Sequence, residues 1–278
     1  MIRFAFLFFL LLLIPNFLFA EPAALSRHPE TRINLEKNWQ LQSSCKLSEK
    51  SGAVISTLNF QPGQWISTTV PSTVVAAQLA AGEFPNVKDP FYGTNLRLIP
   101  GTNYPVGALF ANLPMTMDSP YRCSWWYRTE FRLPNEFKDR NVWVHFEGIN
   151  YRANIWVNGK QIASADQVAG AYRRYEFNLK DVIKPGALNV LAVETFAPTE
   201  LDLGINFVDW NPAPADKAMG LWRKVYLTSS GPVTLRYPTV NTHFPDASLQ
   251  SAELTAIAEL QNTSDHEVSG SVDAVLDL

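Results

Sequence analysis

Apolar and polar positions alternate along most of the chain. From Trp125, the residues Trp125, Tyr127, Thr129, Phe131 and Leu133 fall on one face and Trp126, Arg128, Glu130 and Arg132 on the other, until Pro134 ends the run. A period of two predicts a strand with one buried and one polar side, and proline cannot continue a ladder. Val142, Val144 and Phe146 alternate in the same way with Trp143, His145 and Glu147, and Ala153, Ile155 and Val157 lead into Asn158-Gly159. That dipeptide accepts the two positive φ values of a two-residue hairpin, so Lys160 to Ile162 is the expected return strand. Tyr172 to Leu179 alternates again, and Lys184-Pro185-Gly186 reads as a turn. Leu188 to Val193 is nearly continuous apolar, as in a central strand covered on both faces. Leu221 to Leu227 supplies one more strand, and the chain is expected to be all-β.

One short helix interrupts the pattern. Ser72 is its expected cap, Val74, Val75, Gln78 and Leu79 form its body, and Gly82 ends it. From Glu83 to Pro120 there is little periodicity but much Pro, Gly and Asn, which predicts long ordered loops of the kind that carry binding surfaces. Ser229-Ser230-Gly231-Pro232 reads as a joint. Beyond it, Leu254, Ala256, Ala258 and Leu260 alternate with Glu253, Thr255, Ile257 and Glu259, and Val268, Val272, Ala274 and Leu276 repeat the pattern after a polar break. These two runs predict a hairpin of a second sandwich. About 47 residues follow the joint, whereas an immunoglobulin-like sandwich needs about 100, so an incomplete one is expected. Asn262-Thr263-Ser264 matches a glycosylation acceptor, a triplet that also arises often by chance.

The amino end departs from this pattern. Met1-Ile2-Arg3 is a short basic start, Phe4 to Ile14 is an unbroken apolar run, and Pro15-Asn16 separates it from Phe17 to Ala20. Residues 1–20 read as a signal peptide cut after Ala20, which predicts a secreted or periplasmic protein with no membrane partner after cleavage. With 46% hydrophobic and 18% charged residues, the chain can bury a sizeable core. Its formal charge of −3 argues against nucleic acid as a partner, because such binders present a basic face. Cys45 and Cys123 are its only cysteines. Export permits a disulfide between them, which by closing a loop of about 80 residues would contribute on the order of 4 kcal/mol; two buried thiols are the alternative. The four histidines, His28, His145, His243 and His266, are scattered, so neither a metal nor a cofactor is expected.

Several stretches resemble the amino-terminal sugar-binding domain of glycoside hydrolase family 2. They are Trp125-Trp126-Tyr127-Arg128-Thr129-Glu130-Phe131, Val144-His145-Phe146-Glu147-Gly148-Ile149 with Ile155-Trp156-Val157-Asn158-Gly159-Lys160, and Gly220-Leu221-Trp222-Arg223-Lys224-Val225-Tyr226-Leu227. Val70-Pro71-Ser72-Thr73-Val74, Asp89-Pro90-Phe91-Tyr92-Gly93-Thr94-Asn95 and Asp209-Trp210-Asn211-Pro212 look most like the exo-β-D-glucosaminidase and β-mannosidase branch. The resemblance implies a jelly-roll β-sandwich, galactose-binding-domain-like, over residues 32–230, followed by a partial immunoglobulin-like β-sandwich over 232–278. It also implies a hydrolase of terminal β-linked sugars, whose two carboxylates stand on a (β/α)₈ barrel of roughly 250 residues. No residue of this chain matches either carboxylate.

Within that family, loops of the first domain shape the terminal-sugar subsite, and Asp209-Trp210-Asn211 is the nearest match to the mannosidase segment that does so. A carboxylate there accepts hydrogen bonds from vicinal hydroxyls or pairs with the ammonium of a glucosamine, and an indole covers a pyranose face. The bland alternative is that Trp210 packs under its loop and Asp209 caps a turn. Tyr92 and Asn95 are weaker candidates, with loop scaffolding as their competing role. Trp126, Trp143 and Trp156 fit sandwich core better than a sugar platform. The implied partner is a β-linked oligosaccharide or polysaccharide, either chitosan-like glucosaminide or mannoside. The alternative function is a stand-alone secreted carbohydrate-binding module without hydrolase activity.

Overall fold

A computed structural model describes residues 31–87, 89, 95–102, 114–205, 213–273 and 275. Strands β1 (Thr31–Asn34) and β2 (Trp39–Ser43) lead to helix α1 (Gly52–Ile55), β3 (Ile66–Thr68), β4 (Ser72–Thr73) and helix α2 (Val74–Ala80). There follow β5 (Trp125–Arg132), β6 (Asn141–Phe146), β7 (Arg152–Val157), β8 (Lys160–Ala163), β9 (Tyr175–Asn178) and β10 (Leu188–Phe196). The remaining strands are β11 (Gly220–Leu221), β12 (Val225–Ser230), β13 (Val233–His243) and β14 (Glu253–Asn262).

Two antiparallel sheets face each other, one of six strands in the order β3-β2-β5-β10-β7-β8 and one of four in the order β1-β12-β6-β9. Their inner faces supply one core, with Trp39, Tyr127, Ile155 and Val193 from the first sheet against Val144, Phe146, Tyr175 and Leu227 from the second. The continuous apolar run of β10 is explained by its place between β5 and β7, where both its edges are paired and most of it is buried. The β7–β8 hairpin turns through Asn158 (φ 50°) and Gly159 (φ 87°), as the dipeptide predicts.

Five expectations are corrected. The outward face of β5 is not polar along its length: Trp126 and Arg128 are buried, and solvent reaches only Glu130 and Arg132. The cause is a flap, residues 47–65, that contains α1 and lies over the outer face of the six-stranded sheet. Arg128 pins it, donating to the carbonyls of Ile55 and Thr57 at 3.0 Å each while pairing with Glu130 at 2.6 Å. α1 is itself a helix that the periodicity does not reveal. The cap of α2 is Thr73, whose hydroxyl accepts from the Ala76 amide at 3.2 Å; Ser72 instead joins the β4–β11 ladder. The run Leu221 to Leu227 is two strands, β11 and β12, broken at Trp222 to Lys224. The hairpin beyond the joint is β13–β14, and Val268 to Asp273 forms no strand. Its first strand is irregular, with Pro238 and a bulge between Arg236 and Thr239, which hides it from an alternation test.

Cys45 and Cys123 are disulfide-bonded, with their Cα atoms 5.9 Å apart. The bond ties the start of the flap to the segment that enters β5. Ser124 continues the link, accepting from the Ser44 amide at 2.9 Å and donating its hydroxyl to Glu194 of β10 at 2.6 Å.

Candidate functional site

β5 begins, β10 ends and β7 begins at the same end of the six-stranded sheet. There the loops leave an open recess of about 680 Å³. Met115, Phe196 and Pro198 give it apolar walls, and Arg152, Glu200 and Lys217 place charges of both signs on its lining.

Two buried side chains build the turn that carries Lys217. Lys217 and Ala218 both have positive φ, 51° and 57°, a conformation that non-glycine residues hold only when their surroundings enforce it. Asn150 does so from one side, donating from Nδ2 to the carbonyls of Lys217 (2.8 Å) and Ala218 (2.9 Å) while its backbone pairs with Gly220 in both directions. Asp216 does so from the other. Its carboxylate is fully buried and accepts from the Val75 amide at 2.7 Å, the Ala218 amide at 2.9 Å and the Thr73 hydroxyl. Burial pushes the Asp216 carboxyl up to about 6, and these donors pull the other way, so that it is ionised at neutral pH. Close packing completes the turn, since a Cβ on Gly220 would stand 2.3 Å from the Tyr127 hydroxyl.

The opposite rim is fixed by an ion pair. Both terminal guanidinium nitrogens of Arg152 donate to Asp202 at 2.6 Å, and Asp202 also accepts from the amide and hydroxyl of Thr199 at 2.8 Å each. Arg152, with help from Thr199, holds the Asp202 carboxyl down to about 2. Burial lowers the Lys217 ammonium, opposed by the carboxylates of Glu200 and Asp202.

The sequence candidates fall unevenly on this geometry. Asp209, Trp210 and Asn211, like Tyr92, lie outside the described residues. Both flanks of 206–212 border the recess: Gly204 packs on Pro198, and Pro214 accepts from the Lys217 amide at 2.9 Å. Asn95 is apart from the recess and serves its own loop, donating to the Asp89 carbonyl at 3.0 Å. Trp126 is buried under the flap, Trp156 meets Gly52, and Trp143 carries Arg236, so the three make no common platform. Sequence reasoning missed Asn150, Arg152, Asp202, Asp216 and Lys217. Among the described residues, no group of His, Cys, Asp and Glu could hold a metal ion.

A family model described as glycosyl hydrolase 2 galactose-binding domain-like matches residues 115–203, from the recess wall through β10 to Asp202 and beyond. The exo-β-D-glucosaminidase of Streptomyces avermitilis is 33% identical over 84% of this chain and 23% of its own length. The chain carries the galactose-binding-like domain of glycoside hydrolase family 2. A crystal structure of the exo-chitosanase CsxA of Amycolatopsis orientalis superposes with a TM-score of 0.69 at 29% identity, covering 85% of this chain and 25% of that one. The mannosylglycoprotein endo-β-mannosidase of Lilium longiflorum is 28% identical over 83% of this chain and 24% of its own length. The family-2 chain thus spans about a quarter of the length of the curated relatives it matches.

Proposed function

We propose that this chain is the amino-terminal, non-catalytic portion of an exported retaining exo-β-glycosidase, glucosaminidase-like before mannosidase-like, and that its end recess contacts the terminal sugar. The observation that supports the reading is alignment to the Streptomyces avermitilis exo-β-D-glucosaminidase over 84% of this chain but only 23% of that protein's length. In this reading Asp209, Trp210 and Asn211 complete the recess between its described flanks, and the β13–β14 hairpin opens an immunoglobulin-like sandwich. The chain by itself is expected to release no p-nitrophenol from p-nitrophenyl β-D-glucosaminide or β-D-mannoside. Turnover of either would defeat the reading.

Calorimetric titration separates the two uses of the recess. Heat with chitosan oligosaccharides at millimolar concentration, lost in Trp210→Ala, favours a module that binds sugar unaided; no heat at that concentration leaves the recess as a wall that works only beside a catalytic partner. Export rests on residues 1–20, and fractionation of cells expressing the whole chain tests it: retention in the cytoplasm with residues 1–20 uncut would end the secreted reading.

A further inference from the structure

A continuous ladder of charged and aromatic groups crosses the outer face of the four-stranded sheet and ends on the hairpin. The Arg32 guanidinium of β1 lies 3.6 Å over the ring of Tyr226 on β12. That ring stacks on His145 of β6 at 4.6 Å, nearly parallel. His145 presents Nε2 to the Thr228 hydroxyl at 2.8 Å and Nδ1 to the Glu176 carboxylate of β9 at 3.4 Å. The same carboxylate oxygen receives Arg236 of β13, whose guanidinium also covers the Trp143 ring at 4.1 Å. Arg236 therefore joins the hairpin to the sandwich by a charge and a ring at once. Glu147, Arg174 and Tyr237 line the small recess around this contact, and Tyr237 reaches Glu176 at 3.5 Å.

We propose that this contact is a proton-operated latch: the hairpin stays docked through Arg236 while His145 is neutral, and protonation of His145 releases it. Two facts give the direction. A protonated ring would add a second cation competing with Arg236 for one Glu176 oxygen, with Arg32 pressing from the other side. The docked state accordingly resists that proton, as burial first, then Arg236, then Arg32 hold His145 down to about 4. Undocking removes Arg236 and exposes the ring to water, so the released state takes the proton more readily and acid favours release. At the joint, a Cβ on Gly231 would meet no atom within 4 Å, so side-chain packing does not hold that residue. Against release stand Asn141, which donates to the carbonyl of Gly231 (2.9 Å) and to the hydroxyl of Thr263 (2.7 Å), and the Thr263 amide on the Pro232 carbonyl at 2.8 Å. These groups do not titrate, and they keep the base of the hairpin attached while its body swings.

Spin labels on Lys138→Cys in the sandwich and Ser251→Cys on the hairpin, with the native disulfide intact, report the distance between the two. Between pH 6.5 and about 4 the docked-to-released ratio is expected to fall by as much as tenfold per pH unit, the limit for one linked proton. His145→Phe keeps a flat ring against Tyr226 and cannot take the proton, so it stays docked down to about pH 5.5, above the range in which carboxylates take protons; Glu176→Gln is released already at pH 7. An unchanged distance distribution in the parent from pH 7 to pH 4 overturns the latch, as does a His145→Phe protein that opens with the parent's profile. A Glu176→Gln protein that remains docked overturns the role of the ion pair. Near-ultraviolet circular dichroism checks that each sandwich is folded, and His145→Gln replaces the Phe variant if that one is not.

Discussion

At the scale of single residues, two carboxylates beside the recess answer pH in opposite directions. Asp216 holds its proton more tightly in the folded chain, up to about 6 against 3.8. Its contribution to stability is therefore greatest below about pH 3.8, declines as pH rises through 3.8 to 6, and is flat above. Asp202 is displaced the other way, to about 2, so its contribution is present above about 3.8 and is lost as pH falls toward 2. Asp216→Ala leaves the Val75 and Ala218 amides and the Thr73 hydroxyl without an acceptor in a dry site, and we expect a loss of about 3 kcal/mol in urea unfolding at pH 7. Asp202→Asn breaks one bidentate pair at a partly wet rim and should cost about 1–2 kcal/mol at pH 7 and little at pH 2. Equal losses at both pH values would show that Asp202 acts by packing rather than charge.

At the scale of elements, the flap tests how closely a cover must fit. A Cβ on Gly52 would stand 2.3 Å from the Trp156 ring, inside any tolerable contact, so Gly52→Ala has to lift α1 or turn the indole. We expect about 1–3 kcal/mol of destabilisation and faster amide exchange confined to 52–60. Unchanged exchange there would mean that Trp156 moves and the flap does not.

The flap also shows why some of the fold was legible and some was not. β7, β8 and β10 follow from alternation and from Asn158-Gly159, because the information is local: a face, a φ angle, a turn. Burial of Arg128 on the face of β5 read as polar is set by carbonyls 71 and 73 residues earlier, and no window contains both partners. The recess repeats the lesson. Asp216 is placed by the Val75 amide, 141 residues away, and Asn150 by carbonyls 67 and 68 residues away, so neither stood out among the candidates. Asp209, Trp210 and Asn211 came from resemblance to a family segment, which reports a role without reporting its supports.

At the scale of the whole molecule, the disulfide closes a separation of 78 residues and joins the flap to the recess wall, since Cys123 lines the cavity. Its removal should lower stability by on the order of 4 kcal/mol through the freed unfolded chain. Comparing thermal midpoints with and without a dithiol reductant checks this, and a shift below about 3 °C would mean that the reduced chain keeps the loop closed by other means.

The two roofs on the sandwich decide from where a ligand can come. The flap covers the outer face of the six-stranded sheet, and Arg236 of the hairpin lies across Trp143 on the other side. A polymer cannot lie along the broad face beneath the flap. Among the described residues, the recess at the end, where strands stop and loops begin, lies under neither roof, and a cleft at the end of a slab admits the tip of a thread more readily than its middle.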